Sequence, residues 1–257
     1  METIVVKDYD EMAKKGAEIL YHEIKDNPKL ILGLATGGTP IGVYNHLRKL
    51  HEEKSLDLMN LTTFNLDEYI GIAPESENSY HFYMNKFFFQ PMGISKEQAY
   101  LPNGLAEDIE EECKRYEKLI VEHGGIDIQV LGVGSNGHIG FNEPRTPFNC
   151  RTHEVNLTDS TIQANARFFD SEKDVPKKAI SMGIETIMEA KKIILFASGP
   201  KKAKAINQLV GTDEITVDWP VTILKTHPNV TVVVDEAAYN TDSNNQQVNL
   251  DNSKTIF

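Results

Sequence analysis

The chain has 257 residues, with 26 lysines and arginines against 38 aspartates and glutamates, giving a formal net charge of -12. A charged fraction of 25% beside an apolar fraction of 40% describes an ordinary globular protein and excludes a disordered one. At this length about three quarters of the unfolded surface can be buried without disulfide or metal staples. The acidic balance argues against a duplex nucleic-acid binder, because neutralising phosphates needs clustered Lys and Arg. An anionic small molecule remains open, since a few local donors override a distant negative field.

Cys113 and Cys150 form no C-x-x-C pair, the N-terminus carries no basic region followed by an apolar stretch, and no apolar run approaches the roughly 20 residues that span a bilayer. A reduced, cytoplasmic protein with no membrane partner is the expectation.

In chain order, short apolar runs alternate with amphipathic stretches, the pattern of a parallel sheet flanked by helices. TIVV (3–6) predicts a strand, and the spacing Met12, Ala17, Leu20, Ile24 predicts a helix. LILGLA (30–35) predicts a buried strand that runs through TGGTP (36–40) into a helix from Gly42 to about Leu50. LTTFNLDEYIG (61–71) predicts a strand ending in a polar loop, and SYHFYMNKFFFQP (79–91) a helix closed by Pro91. Ala106–His123 predicts an amphipathic helix stopped by Gly124 and Gly125, followed by a strand in IDIQVLGVG (126–134) and the loop SNGHIGFNEP (135–144). Further on come a helix over Ala179–Ala190, a strand in KIILFASG (192–199), a helix in PKKAKAINQLV and a last strand over VTVVVDEAAY (230–239).

No linker divides the chain, so residues 1–257 are expected to form a single α/β catalytic domain. It is a doubly wound, mostly parallel sheet with helices on both faces, a Rossmann-like three-layer sandwich. The stretch 144–176 lacks clear periodicity and is the lid candidate. The polar tail, about 240–257, is expected to be a loose end.

In open α/β sheets ligands gather outside the carboxyl ends of the strands. Four polar loops leave strands at that edge: TGGTP, NLDEYIG, GSNGHIGFNEP and SGPKK. TGGTP opens a helix, where Gly37 and Gly38 let backbone N–H groups turn inward and Thr39 adds a hydroxyl, an arrangement suited to a phosphate monoester. It is neither a Walker A motif nor G-x-G-x-x-G, so no nucleotide is implied. In SGPKK, Lys201 and Lys202 oppose the dipole of the helix they begin and call for an anion. Asp67 and Glu68 sit at a strand end, and alternation of side chains points one of the two into the cleft as a candidate general base. His138, in a glycine-rich loop with Asn136 before it and Glu143 after it, can shuttle protons while a carboxylate fixes its tautomer. The remaining histidines form no metal-ligand spacing and there is no G-x-S-x-G elbow, so no metal and no cofactor are expected. The residues describe acid–base chemistry on a phosphorylated small molecule.

Together, TGGTP, FNLDEYIG, GVGSNGHIGFNEP and ARFFD (166–170) resemble the glucosamine-6-phosphate deaminase family over about residues 1–239. The resemblance implies a hydrolase of amino-sugar catabolism that converts glucosamine 6-phosphate and water to fructose 6-phosphate and ammonium, by ring opening, aldose–ketose isomerisation and loss of the amine. By the same resemblance, Asp67 is the base at C2 and His138 the ring-opening proton acceptor supported by Glu143 and Asn136. Gly37, Gly38, Thr39, Arg167 and Lys202 hold the phosphate.

Two departures stand out. Asn136 occupies a position where many members carry Asp, which removes a charge from beside the imidazole. His153 and Val155 replace the basic residues with which allosteric members bind N-acetylglucosamine 6-phosphate. A monomer or small homo-oligomer without that activation is therefore expected. The rival readings are a 6-phosphogluconolactonase-like hydrolase, which lacks the GFNEP continuation and the DEY strand end, and a non-catalytic sugar-phosphate sensor. The sensors of this kind carry a DNA-binding module, which is not expected in a chain that begins at its first strand.

Overall fold

Continuous apolar runs are what strands buried on both faces require, and here they line up side by side. The computed structural model describes residues 1–166, 169, 171 and 174–240. Along the chain run β1 (Glu2–Val6), α1 (Tyr9–Asp26), β2 (Ile31–Leu34), α2 (Gly38–Lys54), β3 (Thr62–Asn65), β4 (Asp67–Tyr69) and α3 (Tyr80–Met84). A π-helical turn, Asn85–Phe89, joins α3 to α4 (Gln90–Met92), and β5 (Ala99–Tyr100), α5 (Ile109–Glu122) and β6 (Ile128–Gly132) follow. The second half holds β7 (His153–Asn156), α6 (Asp159–Asn165), β8 (Lys178–Ser181), α7 (Ile184–Met188), β9 (Lys192–Ala197), α8 (Ala203–Val210), β10 (Val230–Asp235) and α9 (Glu236–Tyr239).

Seven strands form one sheet in the order β1-β10-β9-β6-β2-β3-β5, and every pairing in it is parallel. From β2 the chain steps outward to β3, whereas from β6 it steps the opposite way through β9 to β10. Right-handed crossovers therefore put the helices of the two directions on opposite faces, the doubly wound arrangement. The core is built from strand residues such as Leu32, Val130, Leu195 and Val232, met from the helices by Met12, Leu20, Val43 and Ile206, all fully buried. Helix starts follow the capping rules: Asp8 accepts from the Glu11 N–H and Asp108 from the Glu111 N–H, each replacing a bond the first turn cannot make internally.

Several expectations are corrected. The segment 61–71 is two strands, because the chain passes from the main sheet to a second, antiparallel sheet of order β4-β8-β7. Leu66 is the joint: its N–H donates to Leu34 at 3.0 Å and its carbonyl accepts from Met182 at 2.7 Å. The predicted helix over Ala179–Ala190 begins as strand β8, pairing on both sides, and turns helical only at Ile184. Its β-branched and small residues satisfy a helical spacing, but burial between two strands decides for the sheet. Stretch 144–176 is no long loop, since it contains β7 and α6. Pro91 lies inside the last helical turn, which Gly93 in the left-handed region closes. The final apolar run stops as a strand at Asp235, whose carboxylate caps α9. The proposed tail lies outside the described residues from 241 onward.

Candidate active site

The switch point falls between β2 and β6, and the carboxyl ends of β2, β3, β6 and β9 surround one cleft. Its wall is formed by residues 35–40 after β2, Leu66 and Asp67 after β3, residues 132–136 with His138 after β6, and Lys202 after β9. Tyr80, Gly140, Phe141 and Thr161 complete the lining. The four polar loops singled out in the sequence thus converge. Lys201 is exposed and does not line the cleft, which leaves Lys202 as the lysine that does. Arg167 lies outside the described residues.

At one end the N-terminus of α2 faces the cleft. Gly37, its N-cap, adopts φ +104°, a conformation open to glycine, and supplies no side-chain cap. The first N–H groups of α2 have no acceptor within the helix, by its geometry. Tyr9 and Tyr83 anchor the turn through the carbonyls of Gly38 (3.0 Å) and Gly37 (2.6 Å). The loop bearing Lys202 is pinned by the buried Asp235, which accepts from the Gly199 N–H at 3.0 Å and from the Ser198 hydroxyl. The N-terminal turn of α2 and Lys202 thus line the same cleft, and a helix N-terminus and a lysine are both groups that favour an anion.

Asp67 is buried but lines the cleft. Burial and the neighbouring Glu68 charge push its carboxyl up to about 8, against a hydrogen bond from Thr36 that lowers it. Glu68 is used elsewhere: it accepts from the N–H groups of Tyr69 (2.8 Å), Tyr80 (3.0 Å) and His81 (2.9 Å), holding the start of α3. Its second contact with His81, at Nδ1, is 2.8 Å. One acid of the pair lines the cleft and the other builds its wall.

The loop after β6 presents His138. Its Nδ1 is buried, without a hydrogen-bond partner among the described residues, and lies 3.5 Å from Glu143 Oε2. That is an ion pair once the ring is protonated. Asn136 turns its amide to Glu143, donating from Nδ2 to Oε2 at 2.7 Å, while its Oδ1 accepts from the His138 N–H at 3.3 Å. Its service to the histidine is therefore indirect. Burial pushes the Glu143 carboxyl up, but His138, Thr161 and Asn136 outweigh it and hold the group at about 2. Glu143 is ionised wherever the protein is folded and near neutrality. Asn142 locks the loop below, donating to the carbonyls of Ile139 (2.9 Å) and Met182 (2.8 Å).

Sequence reasoning missed Thr36, Tyr80, Thr158 and Thr161. Thr36 stands one residue before the glycine pair and was legible as part of the same loop; Tyr80 starts α3 and Thr158 and Thr161 start α6, so their approach to the site depends on how those helices leave β4 and β7.

A strand-edge cleft with groups that favour an anion, a raised carboxyl and a histidine–carboxylate pair defines an acid–base enzyme of phosphorylated small molecules. The chain belongs to the family of glucosamine-6-phosphate isomerases and 6-phosphogluconolactonases, whose description matches residues 7–233. Within it, the glucosamine-6-phosphate deaminases of Thermoanaerobacter pseudethanolicus and Shouchella clausii are 50% and 52% identical over 93% of this chain, covering 94% and 96% of their own lengths. A monomeric glucosamine-6-phosphate deaminase of solved structure is 48% identical and superposes with a TM-score of 0.90, over 93% of this chain and 98% of that one. The 6-phosphogluconolactonase from Trypanosoma cruzi superposes at 0.74 with 19% identity, over 94% and 97%, and shares the fold alone.

Proposed function

We propose that the chain is a glucosamine-6-phosphate deaminase, converting glucosamine 6-phosphate and water to fructose 6-phosphate and ammonium. The observation that carries the reading is that Asp67 and His138 line one cleft together with Lys202 and the N-terminal turn of α2, which has no side-chain cap. Identity near 50% over almost the whole chain to deaminases supports it.

The phosphate is held by the N–H groups of Gly37, Gly38 and Thr39, by Lys202 and by Arg167. Anchored there, the sugar lays its ring across the acid–base groups, so that remote binding serves the reaction. His138 takes the anomeric hydroxyl proton as the C1–O5 bond breaks and O5 gains a proton, which leaves the open-chain aldehyde. The ionised Glu143 stabilises the imidazolium formed, and Asn136 fixes Glu143. Asp67 then removes the C2 proton and delivers it to C1 through an enol-type intermediate. The resulting C2 imine adds water and releases ammonia, which leaves as ammonium. A carboxyl with a raised pKa is a stronger base than a free one, as abstraction from carbon demands.

The segment 144–176 is proposed as the cover of this cleft, and a monomer or small oligomer in the cytoplasm as the working form. The test is ammonium and fructose 6-phosphate release from glucosamine 6-phosphate by the wild type and by Asp67→Asn. Equal release of both products, abolished in the variant, supports the assignment. Binding of the sugar phosphate without release points to a sensor.

A further inference from the structure

Glu143 is gripped from two sides. Its Oε2 faces His138 and takes the Asn136 amide, while its Oε1 accepts from the hydroxyls of Thr158, at 3.1 Å, and Thr161. Thr158 is the N-cap of α6, and its Oγ1 also accepts from the Thr161 N–H at 3.3 Å. That bond satisfies the helix. The Thr161 hydroxyl is not needed for it, yet Thr161 is buried and lines the cleft, and its Oγ1 donates to Glu143 and lies 3.1 Å from Thr158 Oγ1, from which it can accept.

A carboxylate 3.5 Å from its histidine is at the limit of useful contact. Rotation about the last side-chain bond would carry Oε2 away from Nδ1, and such bonds between tetrahedral and planar carbon rotate broadly. Asn136 restrains Oε2 alone. The two threonines fix Oε1, and two fixed oxygens define the plane of the group.

Building on the ring-opening roles given above to His138 and Glu143, we propose that Thr161, backed by Thr158, is a positioning residue for that step: its hydroxyl holds the Glu143 carboxylate in the plane that keeps Oε2 on the histidine. It touches no reacting atom in this role and acts through Glu143. The same threonines tie α6 to the loop after β6, so the segment between β7 and β8 contributes to the chemistry at the edge of the main sheet.

The experiment is a double-mutant cycle with a conservative rescue. Thr161→Val keeps the branched shape and deletes the hydroxyl; Thr161→Ser keeps the hydroxyl. Loss of one hydrogen bond to a charged group predicts about a 10- to 100-fold lower kcat in Thr161→Val, recovered in Thr161→Ser. Combining Thr161→Val with Glu143→Ala should cost nothing further beyond Glu143→Ala alone, because the hydroxyl then has no carboxylate to hold. Affinity for the acyclic 2-amino-2-deoxyglucitol 6-phosphate should be unchanged in Thr161→Val, which separates loss of ring opening from loss of the folded site. Wild-type kcat in Thr161→Val, an equal loss with and without Glu143, or failure of serine to rescue overturns the proposal. Full turnover in Glu143→Ala overturns instead the ring-opening role on which it rests.

Discussion

Gly134 lies directly beneath the His138 imidazole: a Cβ on Gly134 would come within 2.3 Å of the ring. The two residues are also joined through the backbone, the Gly134 N–H donating to the His138 carbonyl at 2.9 Å. The glycine is therefore part of the seat of the ring. Gly134→Ala should push the imidazole off Glu143 and lower kcat by about 10²-fold, the cost of a misplacement near 1 Å. Affinity for an acyclic sugar phosphate should change little. Full kcat in the alanine variant would show that the ring finds another route to its place.

Asp67 predicts a pH dependence. With its carboxyl at about 8 in the folded protein, kcat/KM should rise with pH as the free enzyme's base ionises. Thr36→Val removes a donor that lowers this value, so the rising limb should move to higher pH. Stability follows the opposite sign. The folded value exceeds the ordinary 3.8, so the contribution of this group is complete below about 4 and lost as pH rises to about 8. Asp67→Asn should therefore lose less thermal stability than the wild type across that window while losing activity by about 10²–10⁴-fold or more. Parallel melting curves in the two proteins at every pH would contradict the buried-acid argument.

Asn136→Asp would place a second carboxylate at the 2.7 Å contact now made by an amide. Two carboxylates so close cannot both ionise freely, and one must hold a proton. The acid side of the kcat profile should therefore shift upward, with the pair titrating as a unit. An unchanged profile would mean that an aspartate there swings away from Glu143.

Lys202 and the α2 N-terminus are expected to share the phosphate. Lys202→Ala should raise KM by about 10- to 100-fold through loss of a charge-assisted bond, whereas Lys201→Ala, at an exposed position off the cleft, should leave KM near the wild-type value. Equal effects of the two would place the anion elsewhere.

Arg151 is committed within the chain: its guanidinium donates to Glu117 and Glu189, with contacts of 2.8–3.0 Å. His153 turns its Nδ1 to the Arg151 carbonyl at 2.8 Å, and Val155 brings no charge. Hyperbolic rate curves, unaltered by N-acetylglucosamine 6-phosphate, are expected. A sigmoidal curve that this ligand makes hyperbolic would reverse that expectation.

Much of this was legible in one dimension. Runs such as LILGLA and KIILFASG announce strands buried on both faces, since only such strands stay apolar without alternation. The turns TGGTP, SNGHIG and SGPKK mark where those strands end, and the rule that ligands sit at carboxyl edges then gathers Asp67, His138 and Lys202 without a coordinate. What the chain could not announce was the second sheet. β4 continues β3 without a turn residue between them, and β8 carries side chains that suit a helix equally well; pairing between β4, β7 and β8 decides both, and such pairing is long-range.

The electrostatic assignments belong to that same level. Sequence alone put a carboxylate pair, a histidine and two loops suited to an anion at the carboxyl ends of strands, because chain direction in a parallel sheet brings those ends to one edge. Which acid of Asp67 and Glu68 faces the cleft, that Asn136 serves Glu143 rather than the imidazole, and that Thr158 and Thr161 hold the other carboxylate oxygen were decided only by tertiary structure. A pKa or a hydrogen bond depends on what lies within a few ångströms, and those neighbours come from segments far apart in the chain.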